Sequence, residues 1–457
     1  MLLCAGLLIM ILSSIMLRFG TMQIFIKTLH MKDGITNIVF ADNKDLADYK
    51  DEEEKQKGIP ADEIKMDWEK KYPFQKDAID TEDASSITGE SELFSVLKER
   101  IETYRTKIER WTNRYLWHYI DAVQLAEIYK NDILAWNIRS INEYNGVVQL
   151  PDGQLAAFVR RKNVEENVAN VSNLARMCQN QGVHFVMVLA PSKIARSETM
   201  YAGKLDFSNQ NGDDFVQGLR ANGVDRIDIR DDIEEEHLDQ HDLFYRTDHH
   251  WKASTARWAT RKIFAYLNQS CGYQADVSLL DSQKYEEAVY PSWFLGSRGK
   301  KLTLARTTPD DFSLYYPKFK TSFTMFIPSM QLKKQGDFSI MYMMKEMDFA
   351  GGSYKHNPYG AYAYGDRAYI DICNLEKHDG KRLLFIHDSF GDAVTPFLAL
   401  GMEHLQTLDP RHFRGSIRTF IQKEKPDTVV VLYYIEELGS SGKPAKPTQQ
   451  KGVFDLR

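Results

Sequence analysis

Two short segments far apart in the chain carry the residue types of a serine acyl-transfer site: Thr247-Asp248-His249-His250-Trp251 and Leu384-Phe385-Ile386-His387-Asp388-Ser389-Phe390-Gly391. The hydroxyl of Ser389 is a poor nucleophile until a neighbouring base takes its proton. His250 is such a base, and Asp248 is the kind of group that orients an imidazole and stabilises its charged form. A spacing of two puts Asp248 and His250 on one side of an extended segment. The same residues have a plainer use: Asp388 and Ser389 are common helix caps, and Asp248 could cap a helix beginning near Trp251. A third reading is a divalent-cation site, since His241, Asp242, Asp248, His249 and His250 are all ligand types. The further aspartate motifs that metal phosphoesterases place on earlier strands are not found.

Elements able to position such residues follow one another from residue 147 onward. Val147 to Leu150 and the turn Pro151-Asp152-Gly153 predict a hairpin. A helical pattern through Val164, Val168, Val171 and Leu174 stops at Gly182. The almost wholly apolar Val183 to Ala190 then reads as a strand covered on both faces. A helix around Phe215 to Leu219 leads into a strand at Arg226 to Ile229, and Lys252 to Asn268 reads as a helix after the acid-base motif. The strand Leu383 to His387, a helix after Gly391, a helix near Ile417 to Lys423 and the strand Thr428 to Tyr433 complete the alternation. The expected fold class is therefore α/β, a parallel sheet flanked by helices, with Ser389 at the carboxyl edge where open α/β sheets bind ligands. Between residues 272 and 380 the alternation gives way to many aromatics, among them Tyr290, Trp293, Tyr315 and Phe323, and to the alternating run Phe338 to Met344. This reads as a β-rich insertion whose rings either fill its own core or stack on sugars.

The amino end is an apolar run, Leu2 to Leu17, read over residues 1–28 as a membrane anchor or signal peptide. Residues 29–92 are rich in Asp, Glu and Lys and read as an acidic flexible linker. A stripe of Leu93, Leu97, Ile101, Tyr104, Ile108, Trp111 and Tyr115 marks a helical extension over 93–145. The catalytic domain is assigned to 146–271 and 381–435, the insertion to 272–380 and a polar tail to 436–457. A net charge of −6 without any dense Lys/Arg block argues against nucleic-acid binding. Four widely spaced cysteines, Cys4, Cys178, Cys271 and Cys373, encode neither a disulfide lattice nor a Cys-x-x-Cys metal clip.

Asp248-His249-His250-Trp251 together with Asp388-Ser389-Phe390-Gly391 resembles the DHHW proteins, relatives of the alginate O-acetyltransferases within the SGNH hydrolase-like superfamily. The resemblance spans Val147 to Tyr434 and includes Leu295-Gly296-Ser297-Arg298-Gly299-Lys300, Asn374, Asp409-Pro410-Arg411 and Lys425-Pro426-Asp427. It implies an SGNH-like fold in which Ser389 is the nucleophile, His250 (not His249) the base and Asp248 its orienting acid. Asn374, Gly296, Arg298 and Trp251 are the oxyanion or substrate-binding candidates, beside the Ser389 N–H. Ordinary SGNH hydrolases carry Gly-Asp-Ser near the start; here His387 stands in the place of that glycine, and Asp-His precedes Ser. The implied activity is extracytoplasmic transfer of acetyl groups to a polysaccharide through an acetyl-Ser389 ester, without a cofactor or metal. A membrane-bound O-acyltransferase is the implied donor partner, and the protein is anchored at the cell surface or in the periplasm, or secreted. The alternatives are an O-acetylesterase of the same fold, a non-catalytic glycan-binding protein and a metal-dependent hydrolase.

Overall fold

The computed structural model describes residues 143–439, apart from 145, 199, 202–203 and 348–355, together with residues 452–456. The expectations for residues 1–28, 29–92 and most of 93–145 lie outside the described residues. Among the described residues, no helix is long and apolar enough to cross a membrane.

An eight-stranded sheet organises the chain. Its strands are β1 (His184–Ala190), β2 (Arg226–Asp228), β5 (Phe323–Ile327), β6 (Leu332–Gly336), β7 (Tyr369–Asn374), β8 (Arg382–His387), β9 (His404–Leu408) and β10 (Thr428–Tyr434); β3 (Tyr285–Phe294) and β4 (Asp310–Pro317) pair with each other outside it. The spatial order is β6-β5-β7-β9-β8-β10-β1-β2. The five strands from β9 to β2 are parallel, whereas β7, β5 and β6 are joined to them antiparallel. Every residue of β10 is buried, as expected for a strand sandwiched between helices. Among the described residues, seven helices accompany the strands: α1 (Glu165–Asn180), α2 (Ser208–Ala221), α3 (Ile229–Glu235), α4 (Ala253–Ser270), α5 (Ser297–Leu302), α6 (Phe390–Ala399) and α7 (Ile417–Glu424). In α4 the apolar positions Ala256, Ala259, Ile263 and Leu267 recur at helical spacing and are all buried, and the helix packs beside α6.

Three features differ from the reading of the sequence alone. The sheet is mixed, because the aromatic-rich stretch contributes β5, β6 and β7 to it as well as the β3–β4 ribbon. The alternating run Phe338 to Met344 is no strand: Phe338–Met341 and Met344–Met347 are 3₁₀ turns, the first opened by the Asp337 carboxylate accepting the Ser339 N–H. A short polar side chain that satisfies the first free amide of a turn outweighs a two-residue hydrophobic period. At the carboxyl end, within the stretch expected as a polar tail, Val453, Phe454 and Leu456 are buried, and Phe454 packs edge-on against Tyr433 of β10 and Phe215 of α2.

Candidate active site

β8 ends at His387 and α6 begins at Phe390, which leaves Asp388 and Ser389 to make the turn at the carboxyl edge of a central parallel strand. The Asp388 carboxylate accepts the Phe390 N–H at 2.9 Å and the Tyr434 N–H at 2.6 Å, which ties the turn to the end of β10. Burial pushes the Asp388 carboxyl up to about 7, against the opposing pull of Arg411 and the two amides. Asp388 is thus a cap, as the plainer reading held. Ser389 is not: its side chain makes no capping bond and is half-buried, turned toward the 247–251 loop. His387 is accommodated because Gly391 follows one turn later; a Cβ there would lie 2.2 Å from the His387 Cγ. The glycine missing before Asp-Ser is in effect displaced to the far side of the serine.

The 247–251 loop is held by the backbone-directed groups around it. Phe244 bridges Trp251, and the Tyr245 N–H donates to the His250 carbonyl at 3.1 Å. The Asp310 carboxylate accepts from the amides of Arg246 and Thr247 at 3.1 and 2.8 Å. From below, the fully buried Lys193 ammonium lies within 3.1 Å of the carbonyl oxygens of Leu155, Tyr245, Arg246 and Asp248. Burial pulls this lysine well below its ordinary range, with Arg298 adding to the effect and Asp248 and Asp310 opposing it. Carbonyl acceptors placed around an ammonium compensate its lost hydration, and so the loop carries its own counter-structure.

On this frame the three chemistry-bearing side chains meet. His250 Nδ1 lies 2.5 Å from Asp248 Oδ1, and His250 Nε2 lies 2.8 Å from Ser389 Oγ. An ionised carboxylate only accepts, so Nδ1 carries the proton and Nε2 presents its lone pair to the hydroxyl. Asp248 is only 3% exposed yet stays ionised. Burial would raise its pKa, but the rings of His249 and His250 and the Ser297 N–H at 2.5 Å hold it well below the usual carboxylate range. The His250 ring is fixed on both faces, stacked on Tyr359 at 3.9 Å between centroids and tilted against His249 at 3.9 Å. α4 starts after Lys252 without a side-chain cap, so Asp248 serves no helix there.

The oxyanion and substrate candidates each have definite partners in the structure. Trp251 is fully buried and donates from Nε1 to the Phe390 carbonyl at 3.1 Å, buttressing the first turn of α6. Asn374 donates to the carbonyls of Ala399 and Leu400, so it caps the end of α6 remote from Ser389. Arg298 is buried, paired with Glu436 at 3.1 Å and bonded to the Leu155 carbonyl. Gly296 provides room: its absent side chain would sit 2.3 Å from the Asp248 Cβ and 2.5 Å from Oδ2. The Ser389 N–H remains, with no acceptor for it among the described residues. Replacing Gly296 with alanine should displace Asp248 and lower activity by roughly 10²-fold, the cost typical of a misplacement of about 1 Å; steady-state rates beside a thermal melt check this.

The cation reading also takes a definite form. Ligand atoms of Asp248, His249 and His250 lie within 4.8 Å of one another. Both nitrogens of His250 are already engaged, however, and His241 is bonded instead to Asp152 and Glu198. Two contributors escaped the sequence reading. Lys193 could have been noticed as a lone lysine just past the apolar strand; Tyr359 was one ring among many in the aromatic stretch.

The fold is that of an SGNH hydrolase-like α/β domain. More particularly, residues 152–306 match the family described as the SGNH hydrolase-like domain of the acetyltransferase AlgX, a stretch that holds Asp248 and His250 and ends before Ser389. The chain is similar to the structure of Bacillus cereus PatB1 with a sulfonyl adduct, at 21% identity, a TM-score of 0.54 and coverage of 68% of this chain and 98% of that one. It is likewise similar to a DHHW family protein from Eubacterium siraeum, at 18% identity, a TM-score of 0.50 and coverage of 65% and 94%. No curated protein matches it in sequence.

Proposed function

We propose that this protein is an extracytoplasmic serine O-acetyltransferase that moves acetyl groups onto a polysaccharide through an acetyl ester on Ser389. The observation that carries the reading is the unbroken path from Asp248 Oδ1 through the two nitrogens of His250 to Ser389 Oγ, with spans of 2.5 and 2.8 Å. The match of residues 152–306 to an acetyltransferase domain supports acyl transfer as the chemistry. His250 Nε2 takes the hydroxyl proton as Oγ forms its bond to the acetyl carbon. The bond from that carbon to the donor oxygen then breaks, and the leaving oxygen receives the proton back. In the second half a sugar hydroxyl gives its proton to Nε2 and takes the acetyl group, and Ser389 recovers its own. The Ser389 N–H is the donor placed to meet the oxyanion. An anchoring segment within residues 1–28 and a membrane-bound O-acyltransferase supplying the acetyl group complete the proposal.

The test is peptide mass spectrometry after brief exposure of the full chain to 4-nitrophenyl acetate. One acetyl group on Ser389, discharged faster by an added glycan than by water, is the expected result. Discharge by water alone marks an esterase, and an unmodified Ser389 overturns both.

A further inference from the structure

We propose that Asp371, Cys373 and His404 form a binding site for a thiophilic divalent cation such as Zn²⁺, at the end of the sheet opposite the serine. Alternation along β7 puts Asp371 and Cys373 on the same face, and the antiparallel register sets His404 of β9 directly across from Cys373. The carboxylate oxygen, the thiol sulfur and an imidazole nitrogen all lie within 4.8 Å of one another, and His404 Nε2 is 2.5 Å from Asp371 Oδ1. These three donor types are those that Zn²⁺ takes, and three protein ligands leave a fourth position for water.

The surroundings suit an ion that enters from solvent. All three residues are half-buried, whereas Cys178 and Cys271 are buried away from it. Arg382 Nε lies 3.3 Å from His404 Nδ1, and its Nη2 already reaches Glu424 at 3.4 Å. Loading releases the thiol proton; the imidazole proton that faces Asp371 moves from Nε2 to Nδ1, freeing Nε2 for the ion, and Arg382 turns fully to Glu424. His404 opens β9 and pairs with Arg382, the first residue of β8, while Ser389 follows the last. At about 3.3 Å per strand residue the site lies roughly 20 Å from the serine. An ion there clamps β7 to β9, at the seam between the antiparallel and parallel parts of the sheet. It does no acyl chemistry, and the proposal stands whether or not Ser389 is a nucleophile.

The experiment is a Co²⁺ titration of the chelator-treated full chain with Cys4 replaced by serine. One equivalent should raise a near-ultraviolet thiolate-to-cobalt charge-transfer band, which Zn²⁺ abolishes by displacement. Cys373→Ser should remove the band, and His404→Gln should weaken binding at least tenfold, with acetyl transfer unchanged in both. Ions held by Asp248, His249 and His250 cannot mimic the signal, because that cluster has no sulfur. Zn²⁺ should also raise the melting temperature of the parent but not of Cys373→Ser. No band in a folded chain, or a band that survives Cys373→Ser, overturns the proposal.

Discussion

Ser389→Ala is expected to lower acetyl transfer by roughly 10⁴- to 10⁶-fold while leaving the fold intact. The two halves of this expectation rest on different observations. Loss of activity follows because Oγ is the atom that His250 Nε2 faces at 2.8 Å, and no other hydroxyl among the described residues is bonded to that nitrogen. Retention of the fold follows because the side chain caps nothing; Asp388 already satisfies the first amide of α6. The hydroxyl removed is half-buried, so the stability change should stay within about 0.5 kcal/mol. Measured transfer rates and a melt of the same preparation separate the cases. If Ser389 were merely a structural turn residue, the variant would keep wild-type activity, and the acyl-transfer reading would fail with it.

How much of this was legible in the sequence depends on the range of the interactions. β1, β8 and β10 each hold an unbroken apolar run, Phe185 to Ala190, Leu383 to Ile386 and Val429 to Tyr434, and a strand covered on both faces must read that way, so sequence and structure agree on them. The Asp248–His250 pair was legible because spacing by two is a local property. The approach of Ser389 to His250 spans 139 residues, and it could be inferred only by placing each segment at a sheet edge. The resemblance offers Gly296, Arg298, Asn374 and Trp251 as oxyanion or substrate-binding candidates, and it says nothing of what each of them touches. Their partners are a buried carboxylate, Glu436, the end of α6 and the Phe390 carbonyl, and no local pattern encodes such distant neighbours. The same holds for Lys193, whose acceptors come from 38 to 55 residues away. The run Phe338 to Met344 failed through a local cap at Asp337 that outweighed the period.

Asp248→Asn should lower the rate by about 10⁴-fold, through the tautomer of His250 and not through loss of contact. The carboxylate accepts on both oxygens: Oδ1 from the ring and the amide of His250, Oδ2 from the Ser297 amide. An amide has a single acceptor arm. If its NH₂ meets His250, the imidazole must present a lone pair at Nδ1 and a proton at Nε2, aimed at Ser389 Oγ, and the base is lost. If its NH₂ meets Ser297 instead, two donors face each other across a buried span, at a cost of roughly 1–3 kcal/mol. The pH dependence tells this substitution from a mere loosening of the loop. The folded pKa of Asp248 lies well below that of the unfolded chain, so the carboxylate contributes stability that is present above about pH 4 and lost as pH falls through the folded pKa. The stability difference between wild type and Asp248→Asn should therefore be largest near neutrality and shrink in acid. Thermal melts across that range, paired with rates at neutral pH, check both halves. Activity within tenfold of wild type would show that Asp248 does not orient the base.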